Sequence, residues 1–196
     1  MKDWNGTSES IFKQIGASNH TIDEREENDY YATDPKAIDD LFAVEEFDQN
    51  IWECAGGGSH LVKRMREYGK SVWNTDIVNR GGQDDVVNFL ECSKKYKGDI
   101  ITNPPYKYCT QFILKALDLV EDGHKVAMFL KLTTLESQER YEKIFSHFPP
   151  KYIYVYVKRI ACYKNGNQSN SQSAVAYAWF VWVKGSKTEP IVRWLK

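Results

Sequence analysis

Short apolar runs alternate with longer amphipathic stretches from residue 50 onward. This alternation is typical of an α/β protein whose helices cover a mostly parallel sheet. The pattern predicts seven strands, at residues 50–54, 71–75, 86–90, 99–102, 125–130, 151–159 and 174–184. The last two strands are rich in β-branched and aromatic residues and are joined by a polar loop. We therefore predict that they pair as a C-terminal antiparallel hairpin.

Helix signals lie between these strands. Asp34 followed by Pro35 is typical of an N-cap and a first helical position, and predicts a helix over residues 36–44. Ser59 is predicted to cap a second helix that ends at Gly69. Two further apolar stripes predict helices at residues 112–120 and 136–147. Together these elements predict a seven-stranded sheet with helices on both faces.

The composition is that of a folded protein with a substantial core. Of its 196 residues, 42% are hydrophobic and 14% are aromatic. This content excludes a disordered chain and suits one domain. We assign residues 30–196 to that domain, with no separate target-recognition domain. The acidic segment at 1–29 is predicted to be a solvated arm.

Charge and cysteine content narrow the possible partners. A net charge of −1 offers no general attraction for nucleic acid, so a polyanion would need a local basic patch. The four cysteines lie far apart and lack C-x-x-C spacing, so we expect neither a disulfide framework nor a metal site. No apolar stretch approaches the length of a membrane span. These features predict a cytoplasmic protein without a membrane partner.

The segment Asn103–Tyr106 follows the apolar run at residues 99–102 and carries the strongest candidate chemistry. Proline fixes φ and lacks an N–H, so these carbonyls are expected to stay outside a helix ladder. The Asn103 side-chain oxygen and the Pro104 carbonyl could each accept one hydrogen of an amino group, while Tyr106 stacks on the attached ring. A Pro-rich turn that merely ends a strand is the competing interpretation.

A glycine-rich turn at residues 55–58 joins a predicted strand to a predicted helix. Glycines let the backbone approach a ligand closely, and such turns bind nucleotides in doubly wound sheets. No G-x-G-x-x-G is present, so a cofactor without phosphates fits better than a dinucleotide. Asp76 follows the next strand, where a carboxylate suits ribose hydroxyls. A tight strand-to-helix turn remains the plain structural alternative.

These segments resemble class I S-adenosylmethionine-dependent methyltransferases of the amino-methyltransferase branch, above all small N6-adenine DNA methyltransferases of phages and prophages. The resemblance runs from about residue 30 to 184 and implies a Rossmann-like fold. It implies S-adenosylmethionine as the cofactor, bound by Tyr31, Thr33, Glu53, Ala55, Gly57, Asp76, Asn88, Phe89 and Asn103. It assigns methyl transfer to Asn103, Pro104, Pro105 and Tyr106.

Individual roles also follow from the resemblance. Thr33 would lie near the methionine carboxylate, Glu53 near the methionine ammonium, and Phe89 against the cofactor adenine. Two positions depart from the family pattern. Ser59 stands where a second glycine is usual, and Asn88 replaces a carboxylate, which removes charge assistance from one hydrogen bond. We therefore expect weaker cofactor binding.

The resemblance implies DNA as the partner, with the adenine flipped out of its stack. The polar loop at 160–173 and its surroundings supply candidate contacts, at Lys158, Arg159, Tyr163 and Lys164. A flexible hairpin loop is an equally good interpretation of this stretch. We expect low sequence specificity, or specificity supplied by a partner or second subunit. A base amine in RNA, a glutamine amide in protein and a non-catalytic cofactor-binding subunit remain alternatives.

Overall fold

The computed structural model describes residues 31–160, 162–164 and 175–196. Its strands are β1 (Tyr31–Thr33), β2 (Asn50–Glu53), β3 (Ser71–Asp76), β4 (Asp85–Val86), β5 (Asp99–Thr102), β6 (Lys125–Lys131), β7 (Tyr152–Tyr156), β8 (Cys162–Lys164), β9 (Tyr177–Val183) and β10 (Ile191–Leu195). Its helices are α1 (Lys36–Phe42), α2 (His60–Glu67), α3 (Cys109–Leu119) and α4 (Gln138–Arg140). Three 3₁₀ turns cover Phe89–Glu91, Tyr106–Tyr108 and Leu132–Leu135.

Within the described residues the main sheet has eight strands, in the order β10-β7-β9-β6-β5-β2-β3-β4. Only β9 runs antiparallel to its neighbours, β6 and β7. The chain moves outward from β2 to β4 and then returns to lie beside β2 as β5. Loops that leave β2 and β5 therefore diverge, which opens a crevice at the carboxyl ends of these two strands.

This architecture confirms the predicted α/β class, the mostly parallel sheet and the antiparallel pairing of the last two predicted strands. The predicted count of seven strands was wrong. The additional strand, β10, lies parallel to β7 at the edge of the sheet. Four of its five residues are exposed. A strand with so little burial carries a weak sequence signal, because alternation between buried and exposed positions is what identifies a strand.

Two predicted elements are shorter than expected, and each gives way to a different helical turn. The strand predicted at 86–90 ends at Val86, because the Asn88 side chain accepts a hydrogen bond from Leu90 N–H and starts a 3₁₀ turn. The helix predicted at 136–147 is a short α-helix, α4, that continues as a π-helical turn over Tyr141–Phe145. The Ser137 side chain caps α4 by accepting from Arg140 N–H.

Both faces of the sheet are buried, because successive side chains of a strand point to opposite sides. On one face, Trp52 and Ile100 pack with Ile113 of α3. On the other face, Ile51 and Ile101 pack with residues of α1 and α2. The prediction of helices on both faces is therefore confirmed. The predicted Asp34 cap is also present, since its side chain accepts from Lys36 N–H at 2.9 Å.

Some predictions lie outside the described residues, namely the arm at 1–29 and most of the loop at 160–173. In the part of the chain that the structure describes, no helix is both long and apolar enough to cross a membrane.

Candidate functional site

A small, partly open cleft lies at the carboxyl ends of β2 and β5. Five residues predicted to act in the site line it: Thr33, Glu53, Ala55, Gly57 and Asn103. Five lining residues were not predicted as site residues: Ala32, Gly56, Gly58, His60 and Leu61. The glycine-rich turn and the Asn103 segment, which are about fifty residues apart in sequence, therefore share one cleft.

The glycine-rich turn passes close to a buried asparagine. A Cβ atom at Gly56 would stand 1.8 Å from Asn74 Oδ1, so no other residue fits there without moving Asn74. Gly57 has φ of 49°, in the left-handed region where glycine has no steric penalty. The turn is thus shaped by the sequence to expose backbone to the cleft.

Ser59 does not cap α2, and this prediction was wrong. The residue has φ of 61°, and its hydroxyl points away from the helix. Its Oγ accepts a hydrogen bond from Asn74 Nδ2 at 2.9 Å and donates one to the Gly82 carbonyl at 3.1 Å. Gln83 Nε2 also donates to the Gly57 carbonyl at 2.5 Å. Ser59 therefore ties the turn to the loop after β3 instead of crowding the cleft.

Glu53 ends β2 and is only 1% exposed. Its Oε1 accepts a hydrogen bond from Ala55 N–H at 3.0 Å. Burial raises the pKa of this carboxyl group to about 8. The nearby Thr102 hydroxyl and the Ala55 N–H act in the opposite direction, and the nearby Asp76 charge adds to the rise. A buried acid of this kind is suited to meet an incoming cation, which would restore its charged form.

Asp76 ends β3 and is 9% exposed. One carboxylate oxygen accepts from Gly57 N–H at 2.8 Å, and the other accepts from Val78 N–H at 2.9 Å. The carboxylate thus holds the glycine-rich turn in place. The next residue, Ile77, is an apolar side chain that is 57% exposed.

Asn103 follows β5, and its Nδ2 donates a hydrogen bond to Thr33 Oγ1 at 2.8 Å. Thr33 is the last residue of β1 and is 4% exposed. The expectation that the motif's carbonyls avoid helical bonding was wrong for Pro105, whose carbonyl accepts from Tyr108 N–H at 2.9 Å. That bond closes the 3₁₀ turn after the motif and leaves the Pro104 carbonyl outside it.

The Tyr106 ring contacts a cation and another aromatic ring. Lys131 Nζ is 4.5 Å from the Tyr106 centroid, a distance typical of a cation–π contact. The Tyr177 ring centroid is 6.0 Å from that of Tyr106, with the planes inclined by 30°. Lys131 was missed, although a lone lysine that ends an otherwise apolar strand is a recognisable signal.

Asn88 and Phe89 lie outside the lining of this cleft. Phe89 is 2% exposed, and its ring packs against Trp52 at 5.1 Å and Phe112 at 5.0 Å between centroids. Burial of this ring in the core leaves its contact with a cofactor adenine as a prediction. Tyr31 pairs with Lys164 through its backbone, and its contact with the cofactor stays a prediction.

The residues predicted to contact nucleic acid lie in β8 or shortly before it. This strand pairs with β1, so that Cys162 lies opposite Thr33 and Tyr163 opposite Ala32. Lys158 and Arg159 precede β8 and are exposed. The structure thus brings this stretch of backbone next to the strand that contacts Asn103.

No family model matches the sequence, and a search of curated proteins returned no match. Solved structures match at low identity. The type IIG restriction endonuclease BpuSI aligns with a TM-score of 0.57 and 13% identity, over 91% of this chain and 28% of the endonuclease.

Two other structures cover most of this chain. A protein from Listeria monocytogenes assigned as a class I S-adenosylmethionine-dependent methyltransferase has a TM-score of 0.52 and 10% identity, over 82% of this chain and 62% of that protein. TrmN from Thermus thermophilus has a TM-score of 0.52 and 14% identity, over 76% of this chain and 48% of TrmN. The likeness establishes the fold, which is the Rossmann-like fold of class I methyltransferases.

Proposed function

We propose that this chain transfers a methyl group from S-adenosylmethionine to the N6 amino group of adenine in DNA, with low sequence specificity. One observation carries the proposal. Asn103 lines the same cleft as Glu53 and the glycine-rich turn. An amine acceptor and a cofactor cradle at one edge of a doubly wound sheet form the arrangement that transfer to an amino group requires.

The residues of the cleft fit the cofactor. Glu53 is a buried acid that would accept the methionine ammonium. Asp76 lies outside the cleft lining but accepts from Gly57 N–H, and from there it would accept ribose hydroxyl groups. The close approach of Gly56 to Asn74 admits no side chain at this position of the turn. When bound, S-adenosylmethionine supplies an electrophilic methyl group attached to a sulfonium.

The residues of the motif fit an aromatic amine. The Asn103 side-chain oxygen and the Pro104 carbonyl would each accept one amine hydrogen, which localises the nitrogen lone pair. Because these acceptors are fixed before the reaction, they stabilise positive charge that grows on the nitrogen at little cost in reorganisation. Tyr106, supported by Lys131 and Tyr177, would provide an aromatic wall for the base.

The charge and the exposure of residues near the site favour DNA as the substrate. The overall charge of −1 requires local cations, and exposed Lys158 and Arg159 precede the strand that pairs beside the site. Tyr108, which follows the motif, is 42% exposed. Cations that contact phosphates and an aromatic ring that stacks on bases together suit a flipped or single-stranded substrate.

The test offers labelled S-adenosylmethionine with duplex DNA, single-stranded DNA, RNA and a protein extract in parallel. We expect label in DNA, as N6-methyladenine after digestion, and none with the Asn103→Ala variant. Label only in RNA or in protein would overturn the DNA assignment and leave methyl transfer standing. Cofactor binding without transfer to any of the four would identify a non-catalytic subunit instead.

A further inference from the structure

The Asn103 amide has two chemically different ends. Its oxygen can only accept hydrogen bonds, and its NH₂ group can only donate them. To hold a substrate amine by its hydrogens, Asn103 must present the oxygen. A half-turn of the amide would present the NH₂ group and repel the same amine. The proposed reaction therefore needs something that fixes the orientation of this amide.

We propose that Thr33 is a positioning residue that directs the Asn103 oxygen toward the substrate, an inference that rests on the methyl-transfer function proposed above. Asn103 Nδ2 donates to Thr33 Oγ1 at 2.8 Å. This bond places the NH₂ end against β1 and the oxygen end away from it. With its own proton directed elsewhere, the Thr33 hydroxyl acts only as the acceptor, and a neutral hydrogen bond in a partly buried site then favours one orientation by roughly tenfold.

Both partners are held by their backbones although they are 70 residues apart in sequence. Thr33 ends β1, pairs with Cys162 of β8 and is 4% exposed. Its β-branched side chain has restricted rotation about χ1, so the hydroxyl position is well defined. Asn103 directly follows β5, and Pro104 restricts its backbone.

This role differs from the one implied by the family resemblance, in which Thr33 lies near the methionine carboxylate. A cofactor ligand affects the dissociation constant of S-adenosylmethionine. A residue that orients Asn103 affects turnover at saturating cofactor and leaves that dissociation constant nearly unchanged. The two roles can therefore be separated by measuring both quantities on the same variants.

The first test compares Thr33→Val, which removes the hydroxyl, with Thr33→Ser, which keeps it. We expect kcat to fall roughly 10- to 100-fold in Thr33→Val and to recover to within about threefold of wild type in Thr33→Ser. The matched control is Thr75→Val, which also removes a buried hydroxyl that accepts a hydrogen bond at 2.8 Å, from Trp52 Nε1. It should lose stability but keep kcat. A raised dissociation constant with unchanged kcat in Thr33→Val would overturn the proposal.

The second test uses Asn103→Asp. The two oxygens of a carboxylate are equivalent, so no particular end needs to be selected. Thr33→Val should therefore reduce kcat strongly in the protein that keeps Asn103. In the Asn103→Asp background the same substitution should reduce kcat less than about threefold. Equal losses in the two backgrounds would show that Thr33 acts in some way other than by orienting the amide.

A third readout does not depend on activity. The side-chain NH₂ resonances of Asn103, identified by their absence in Asn103→Ala, should shift in Thr33→Val and return toward wild type in Thr33→Ser. Unchanged resonances in Thr33→Val would overturn the proposal. If the wild-type protein methylates no substrate, the proposed function fails, and the resonances still report whether Thr33 orients Asn103.

Discussion

Two buried carboxylates lie on the neighbouring parallel strands β2 and β5, one at the carboxyl-end edge of the sheet and the other at the amino-end edge. They differ in the hydrogen-bond donors that surround them. Asp99 begins β5 and is 3% exposed. Its two oxygens accept backbone N–H groups from Lys125 at 2.7 Å and Asp48 at 2.6 Å. Glu53 ends β2 with 1% exposure, and its Oε1 accepts from the Ala55 backbone N–H at 3.0 Å.

The difference in donors distinguishes a carboxylate that is bonded within the fold from one that is suited to bind a ligand. At the Asp99 edge the fold supplies a donor to each oxygen, so the charge is satisfied without a ligand. At the Glu53 edge burial exceeds what the local donors offset, and the pKa rises to about 8. A buried acid in this condition gains most from an external cation. The comparison predicts that variants at the Glu53 edge change binding and catalysis, while variants at the Asp99 edge change stability.

The largest effect is expected from Asn103→Ala at the Glu53 edge. Loss of the amide oxygen should lower kcat about 10³-fold or more, equivalent to about 4 kcal/mol of transition-state stabilisation. Methyl incorporation into DNA measures kcat, and titration calorimetry measures cofactor affinity, which should change less than about threefold. The urea unfolding midpoint serves as the control for folding. Wild-type turnover in this variant would remove Asn103 from the catalytic site.

Asp99→Asn should have the next largest effect, on stability alone. One end of the new amide must point its NH₂ group at a backbone N–H, which leaves two donors facing each other in a buried site. We expect a loss of about 3 kcal/mol in the free energy of unfolding, measured with urea. Cofactor affinity of the folded variant should be unchanged. A stability loss below about 1 kcal/mol would contradict the structural role assigned to Asp99.

Glu53→Gln should act in the opposite sense, with weaker binding and higher stability. Removal of the negative charge should lower affinity for S-adenosylmethionine about 100-fold, or about 2.7 kcal/mol by calorimetry. In the ligand-free protein the neutral amide avoids burial of a charge. The variant should therefore be more stable than wild type at alkaline pH.

The pH dependence of that stability follows from the raised pKa. Folded wild-type protein keeps the Glu53 proton up to about pH 8, whereas the unfolded chain loses it near 4.5. Wild-type stability should therefore fall as pH rises through this window, by up to about 1.4 kcal/mol per pH unit. The difference in free energy of unfolding between Glu53→Gln and wild type should grow from pH 5 to pH 8 and level off above pH 8. A variant less stable than wild type at pH 9 would contradict the raised pKa.

The smallest effect is expected at Ser59, which supports the glycine-rich turn without lining the cleft. Ser59→Ala loses two hydrogen bonds, to Asn74 and to the Gly82 carbonyl, and should cost about 1–2 kcal/mol in unfolding free energy. Ser59→Gly should cost less, because glycine adopts the positive φ without strain. Thermal or urea unfolding measures both variants. Equal destabilisation by alanine and glycine would show that backbone conformation is irrelevant at this position.

The position of the glycine-rich half of the candidate site was predictable because its signals are local. The strand, the glycine-rich turn and Asp76 follow one another within a short stretch, and each has a characteristic composition. Glu53 and Asp76 then fall at the carboxyl ends of adjacent strands, as the order of elements requires.

The substrate side was less predictable because it depends on distant contacts. Nothing in the sequence near Thr33 indicates that its hydroxyl meets Asn103, or that its strand pairs with residues 162–164. Asn74 and Gln83 were missed for a related reason. They support the glycine-rich turn through side chains whose partners are set only when β3 and its following loop are in place.

The position of β9 between β6 and β7 has a consequence for chain synthesis. In the main sheet β7 pairs with β9 and β10, both of which leave the ribosome after it. Tyr177, which begins β9 and stacks near Tyr106, arrives equally late. A nascent chain halted before residue 177 can build the glycine-rich turn and its neighbouring strands, but it lacks the partner that flanks the aromatic wall beside Asn103. The aromatic wall beside Asn103 is therefore the last part of the candidate site to be completed.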